Sequence, residues 1–395
     1  MNKNQLITQA FVGLALYLIA TGVSFAGFTF VVNKLPAKLV PSLTSQIPKN
    51  GTGGFNIDPS IPRTEACPIN GVLYTKGEKE TWDKRRPLAV MIENHAEARP
   101  QSGLSYADVV YEAVAEGGVS RFMGIFYCGI AGGNVSLAPV RSARMYFLPW
   151  VLEYDALYNH VGGAGRCSDD TVDDRAKALC QIEQFKIKDM DQFGISFPTC
   201  YRNYDRLPHP VATEHTMVCV TDKLYKLAAE RGWTNVDAKG VAWDKNFQSW
   251  KFKDDAKEAD RGASFSANFT AWKGWEKDYG VRWDYDPATN SYKRTNGGAP
   301  HTDLENGKQL MAKAVIIIFA KETGPVDEHA HLLYTTYGVT GDALVFQDGK
   351  VTKGTWQKPL RSSRTKILDD KGKEVAFNKG QIWFELLPIG TPVAY

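Results

Sequence analysis

The sequence predicts an α+β protein. An N-terminal mixed α/β domain over residues 67–245 is followed by a mainly antiparallel β domain, sandwich or barrel, over 246–395, with one transmembrane helix ahead of both. Three observations carry this. An uncharged apolar run stands near the N-terminus, a Pro/Gly-rich stretch follows it, and the character of the chain changes near Trp250, from alternating strand and helix signals to strands and tight turns. At about 150 residues per domain, 395 residues allow two or three. Hydrophobic content of 43% with 23% charged residues excludes a disordered chain. Only 47 basic against 44 acidic residues argues against nucleic acid as a partner, because phosphate neutralisation needs a clustered excess of Lys and Arg.

No charge occurs between Lys3 and Lys34, and Ala10 to Val32 is almost wholly apolar. At about 1.5 Å per residue a helix over this run crosses a hydrocarbon core of roughly 30 Å. Residues 1–33 are therefore expected to be a transmembrane anchor or signal segment. Ser24-Phe25-Ala26 offers small residues to a signal peptidase, but the apolar run continues past them, which favours retention as an anchor. Residues 34–66, with prolines 36, 41, 48, 59 and 62 and glycines 51, 53 and 54, form an extended linker. The six cysteines all lie beyond Pro62, and an even count behind an export segment fits disulfides in an oxidising compartment. Six cysteines allow about fifteen pairings, so none is assigned.

Within the folded body, Pro87 to Ile92 reads as a buried strand. A helix is expected next, capped by Ser105, with Leu104, Ala107, Tyr111 and Val114 as its apolar face and Gly117-Gly118 as its stop. Glu112 and Glu116, four apart, would share a face of that helix with Asp108. Val119 to Cys128 and Asp155 to Val161 read as strands, the latter running into the Gly162-Gly163-Ala164-Gly165 turn. In the second half, a turn at Pro287 to Asn290, a buried strand at Ala314 to Ala320, hairpins around Asp348-Gly349 and Asp370-Lys371-Gly372, and a last strand at Gln381 to Leu387 give the β domain.

Several of these segments occur together in one family. Arg86 to His95, Ala98-Arg99-Pro100-Gln101-Ser102-Gly103-Leu104, Ala107 to Glu112, Glu116 to Phe122, Pro139 to Arg144 and His160-Val161-Gly162-Gly163 resemble the YerB-like lipoprotein family. So do Tyr285-Asp286-Pro287, Tyr292-Lys293-Arg294, Val345 to Lys350 and Gly354 to Lys358 in the second half. The resemblance spans roughly Cys67 to Tyr395. It implies a bacterial, extracytoplasmic, membrane-attached protein of two domains of unknown function, and it carries over no catalytic residue. The chain departs from the family in its anchor: a lipoprotein needs a Cys directly after its apolar segment, and none precedes Cys67. A transmembrane helix would replace the lipid. Ala164 also follows the paired glycines where the family commonly has Ser, which argues against a serine nucleophile there.

The chemistry centres on Arg141-Ser142-Ala143-Arg144. With Ser142 as a helix cap, both arginines would flank a positive helix end, a site for carboxylate or phosphate. The competing reading pairs these arginines with Glu112 and Glu116. Arg121, charged on an apolar strand face, needs a carboxylate partner. His160 ends a strand before glycines that allow close approach of a ligand, and can act as general acid or base. The expected ligand site is thus Arg141, Ser142, Arg144, His160, Gly162 and Gly163, with Glu112, Glu116 and His160 as the weaker catalytic candidates of an envelope hydrolase or transferase. Cys200, His209, His215 and Cys219 lack the short paired spacing of a zinc site, the aspartates 284, 286 and 303 lack a calcium-loop pattern, and His329 with His331 reads as an exposed turn. No metal and no cofactor are expected. The functional expectation is a membrane-anchored extracytoplasmic protein binding an anionic cell-envelope polymer, or an envelope protein through an edge of the β domain acting as a scaffold.

Overall fold

Ten strands, the central ones largely apolar and the outer ones polar, assemble into one mixed sheet in the computed structural model, which describes residues 60–263 and 265–395. In chain order they are β1 (Leu88–Glu93), β2 (Val109–Val114), β3 (Ser120–Phe126), β4 (Leu157–His160), β5 (Lys188–Asp191), β6 (Ala314–Ala320), β7 (Val339–Gln347), β8 (Lys350–Lys358), β9 (Lys366–Asp369) and β10 (Ile382–Pro388). Their spatial order is β9-β8-β7-β6-β10-β2-β3-β1-β4-β5. The sheet is open, with β9 and β5 at its edges. The final strand, β10, lies between β6 and β2 and runs parallel to both. Both halves of the chain therefore contribute to one continuous sheet, and residues 51–395 form one unit. With its few short helices, the architecture is α+β.

Central strands covered on both faces lose the polar–apolar alternation of a one-sided sheet. β1, β2 and β3 are buried at every position. On one face, Tyr111 of β2 stacks between Trp150, ring centroids 4.4 Å apart, and Phe384 of β10 at 4.9 Å, bringing in the short helix Leu148–Glu153. On the other face lies a five-stranded sheet built from Ser266–Phe269, Val281–Asp286, Ser291–Asn296, Ala299–Pro300 and Met311–Ala312. Its Trp283, Tyr285 and Tyr292 pack in one core with Trp383, Phe346, Val315 and Ile317. Alternating burial along Val281–Asp286 marks that sheet as covered on one side.

The predicted strands at 87–92, 119–128, 155–161, 314–320 and 381–387 are present within a few residues. Asp348 and Gly349 both take positive φ, +54° and +65°, as the two-residue hairpin turn between β7 and β8 requires. The expected helix after Ser105 is not present. A single 3-10 turn, Leu104–Tyr106, precedes strand β2. Gly117 and Gly118, at φ +61° and +76°, form the β2–β3 hairpin turn rather than a helix stop. The apolar residues matched a helical period only because every position of β2 is buried; the β-branched Val109, Val110 and Val114 decide for the strand.

All six cysteines are paired: Cys67 with Cys128, Cys167 with Cys180, and Cys200 with Cys219. The last pair joins residues directly opposite on adjacent antiparallel strands and removes both sulfurs from metal binding. Among the described residues no helix is long and apolar enough to cross a membrane. The Ala10 to Val32 run and most of the linker lie outside the described residues.

Candidate functional site

The strand identity of residues 109–114 decides where the two candidate glutamates go. Glu112 shares its side of β2 with Val110, in the core under the five-stranded sheet, whereas Tyr111 and Ala113 belong to the opposite core. Glu116 lies past the strand end and pairs with arginines beside Tyr146, on the Tyr111 side. The two carboxylates thus sit in different polar clusters rather than on one helix face.

The Glu112 cluster is fully buried and joins the two halves of the chain. Arg294 NH2 donates to Glu112 Oε2 at 2.5 Å, and Ser120 Oγ donates to Oε1 at 2.5 Å. Arg294 NH1 meets His301 Nδ1 at 2.6 Å, and His301 Nε2 meets Gln101 Oε1 at 2.6 Å. Burial, with the charges of Arg294 and Arg99, pushes His301 well below the ordinary histidine range, so its ring is neutral between these partners. Glu385 of β10 stands opposite Glu112 in the parallel register and accepts from Trp283 Nε1 at 2.9 Å. Burial, and then repulsion from Glu112, raises the Glu385 carboxyl well above the carboxylate range. It is a neutral acid beside an ion-paired carboxylate.

The second cluster contains the arginines singled out in the sequence. Arg144 Nε and NH2 both reach the Glu116 carboxylate, NH2 to Oε2 at 2.7 Å, and Arg121 NH2 lies 3.6 Å from the same carboxylate. Arg121 NH1 donates to the Ser142 carbonyl at 2.9 Å. Burial alone would raise the Glu116 carboxyl, but the Arg144 fork and the Arg121 charge outweigh it and hold it at about 2. Arg121 is pushed down to about 10, by burial and by the neighbouring charge of Arg144. Arg141 turns elsewhere: its Nε lies 3.0 Å from Glu93 Oε1, an ion pair without hydrogen-bond alignment, and its side chain is 27% exposed. The helix expected to start at Ser142 begins later. A 3-10 turn at Met145–Phe147 leads into Leu148–Glu153, and Ser142 caps neither. A helix of six residues with Pro149 in its first turn offers no anion site of its own.

Ser142, Arg144, Gly163, Ala164 and Gly165 line a solvent-open pocket of about 470 Å³ with Glu116, Asp169, His329 and His331. His331, expected in an exposed turn, is buried and paired with Asp327 at 2.9 Å. Asp169 is turned toward Thr171, accepting from its N–H and hydroxyl. Gly162 takes φ +56°, its N–H donates to Asp191 and its carbonyl accepts from Ala143 N–H. A Cβ at Gly163 would come within 3.1 Å of the Ala143 methyl and Leu179. These glycines serve turn geometry and close packing. His160 is fully buried; Nδ1 faces the Gly162 carbonyl at 2.8 Å and Nε2 faces Asp189 at 2.9 Å. With both ring nitrogens engaged, His160 holds β4, β5 and the glycine turn together, and neither nitrogen meets Glu112 or Glu116. Sequence reasoning missed Arg294, His301 and Glu385: Arg294 and His301 are seven apart, but their other partners Glu112 and Gln101, and Trp283 for Glu385, lie 102 to 200 residues away and leave no local spacing to read.

Residues 74–234 match the family described as "Protein of unknown function (DUF3048) N-terminal domain", and residues 271–384 match "Protein of unknown function (DUF3048) C-terminal domain". The chain is 28% identical over 336 residues to "Putative lipoprotein YerB" of Bacillus subtilis (strain 168), covering 84% of this chain and 88% of that protein. It is also similar to the crystal structure of YerB protein from Bacillus subtilis, with a TM-score of 0.66 at 25% identity, covering 84% of this chain and all of the other. With both halves matched in order and the fold shared, the chain belongs to the YerB-like family of paired DUF3048 domains.

Proposed function

We propose that the chain is a membrane-anchored protein of the bacterial cell envelope, its folded body outside the cytoplasm, which binds an anionic envelope ligand in the pocket formed by Ser142, Arg144 and the Gly163–Gly165 loop. The relative's name as a lipoprotein, the apolar Ala10 to Val32 run and three disulfides support the location. One observation carries the binding role. Arg144, which lines the pocket open to solvent, and the buried Arg121 beside it share the single carboxylate of Glu116, two guanidinium groups to one carboxylate. A phosphate or carboxylate entering there would meet the Arg144 guanidinium, whose fork matches both geometries, while the Asp169 carboxylate in the lining is engaged by Thr171.

The test is retention of the full chain, in detergent, on purified phosphate-rich and carboxylate-rich envelope polymers. Binding should fall as salt rises, because the contact is ionic. Arg141→Ala with Arg144→Ala should weaken it, and Glu116→Gln, which removes the shared carboxylate, should strengthen it. Equal retention of both variants and the parent chain would sink the pocket assignment.

A further inference from the structure

A second constellation lies on the other side of Glu93. His95 precedes the 3-10 turn Ala96–Ala98, and its Nδ1 accepts the Glu97 N–H at 3.3 Å, a long contact at a partly exposed ring; giving it up lets the proton move to Nδ1 and puts the lone pair on Nε2. His215 ends the 3-10 turn Thr213–His215 and is buried; its Nδ1 faces Glu93 Oε2 at 2.8 Å, so Nδ1 carries the proton and Nε2 carries the lone pair. That Nε2 lies 3.8 Å from Glu97 Oε2. The two imidazoles stack with centroids 4.8 Å apart and planes within 14°. One ligand atom from each of His95, Glu97 and His215 lies within 4.8 Å of the other two.

The backbone around these residues is fixed. Arg206, itself buried, donates to the carbonyls of Ala98 and Pro100 at 2.6 Å each and reaches that of His215 at 3.5 Å, tying the His95 loop to the His215 turn. Val140 N–H donates to Met217 O, and Arg141 N–H to Met91 O, which ties the His215 segment to β1 and so to Glu93.

We propose that His95, Glu97 and His215 bind a divalent transition-metal ion of the zinc class, with Glu93 as the outer carboxylate that orients His215. Two neutral imidazole nitrogens and one carboxylate are a donor set suited to zinc and its neighbours. A ligating histidine characteristically donates its second ring N–H to a carboxylate, which fixes tautomer and orientation, and His215 with Glu93 has that arrangement. Glu97 is exposed and His95 half-buried, so these two can close the last ångström onto an ion while His215 stays fixed, and the solvent side remains open for further ligands. The set shares no ligand with the Ser142–Arg144 pocket and stands whether or not that pocket binds an anion.

The experiment is a zinc titration of the untagged full chain in detergent, disulfides intact, competed against a chromophoric chelator, with cobalt(II) absorption as a second readout. One ion per chain with low-micromolar or tighter affinity is expected. His95→Ala and Glu97→Gln, both on accessible side chains and so compatible with folding, should each weaken binding about tenfold or more and remove the cobalt bands. Glu93→Gln should weaken it about 10–100-fold while keeping the stoichiometry. His329→Ala, at the other histidine pair, should change nothing. Failure to saturate in the micromolar range, equal affinity in His95→Ala, or loss of binding in His329→Ala would each overturn the assignment.

Discussion

Replacing Glu116 by Gln isolates the energetics of the arginine cluster. The carboxyl is held at about 2 in the folded chain against an ordinary 4.5. A gap of about 2.5 pH units at about 1.4 kcal/mol each gives roughly 3 kcal/mol of stability at neutral pH. This agrees with the roughly 3–5 kcal/mol expected when one partner of a buried ion pair is removed. The sign follows from the direction: the folded carboxyl is the stronger acid, so its contribution is complete above 4.5 and lost as pH falls toward 2. At about pH 3.5 the same two values leave about 2 kcal/mol. Urea unfolding followed by tryptophan fluorescence, on oxidised protein, should therefore show Glu116→Gln less stable by about 3 kcal/mol at pH 7, with the deficit shrinking in acid. A deficit below about 1 kcal/mol at pH 7, or one that does not change with pH, would refute the view that Arg144 and Arg121 depend on this single carboxylate.

Two further outcomes follow from the same reasoning. Glu385→Gln replaces a neutral acid by a neutral amide and should change unfolding stability by less than about 1 kcal/mol at pH 7, whereas Glu112→Gln strips Arg294 of its carboxylate and should cost about 3–5 kcal/mol; equal losses in the two variants would contradict the assigned protonation. Cys67→Ala with Cys128→Ala opens a loop closed across 61 residues and should cost about 4 kcal/mol, more than the roughly 3 kcal/mol for the Cys167–Cys180 pair spaced 13 apart; thiol titration of the denatured, unreduced parent chain should find no free sulfhydryl.

What could be read in the sequence was local. Ala314 to Ala320 reads as a strand from its own composition, and Asp348-Gly349 as a hairpin from the two positive φ angles it must supply. Arg121 on an apolar face demanded a carboxylate, and Glu116 supplies it from the adjoining turn. Residues 104–116 misled because a strand buried on both faces has no period of two, and its apolar spacing can mimic a helix. The assignment of Ser142 as a cap failed with its helix, for the backbone there stays extended through Arg144. The paired glycines are also demanded by packing, which the sequence did not show: a Cβ at Gly163 would press on Ala143 and Leu179, and one at Gly162 on Phe193. Groups that meet across the fold, such as Glu112 with Arg294 or His95 with His215, leave no spacing to detect.

The position of β10 shapes the life history of the molecule. Synthesis runs from the N-terminus, yet the strand that seals the middle of the sheet is made after every other strand of that sheet. Until Ile382 to Pro388 is delivered, β2 and β6 each keep an open flank, and the apolar residues beneath them stay wet. Sequence-distant pairing of this kind slows assembly. Both halves of the sheet therefore wait on one strand, so a chain cut before Ile382 leaves both of them open together.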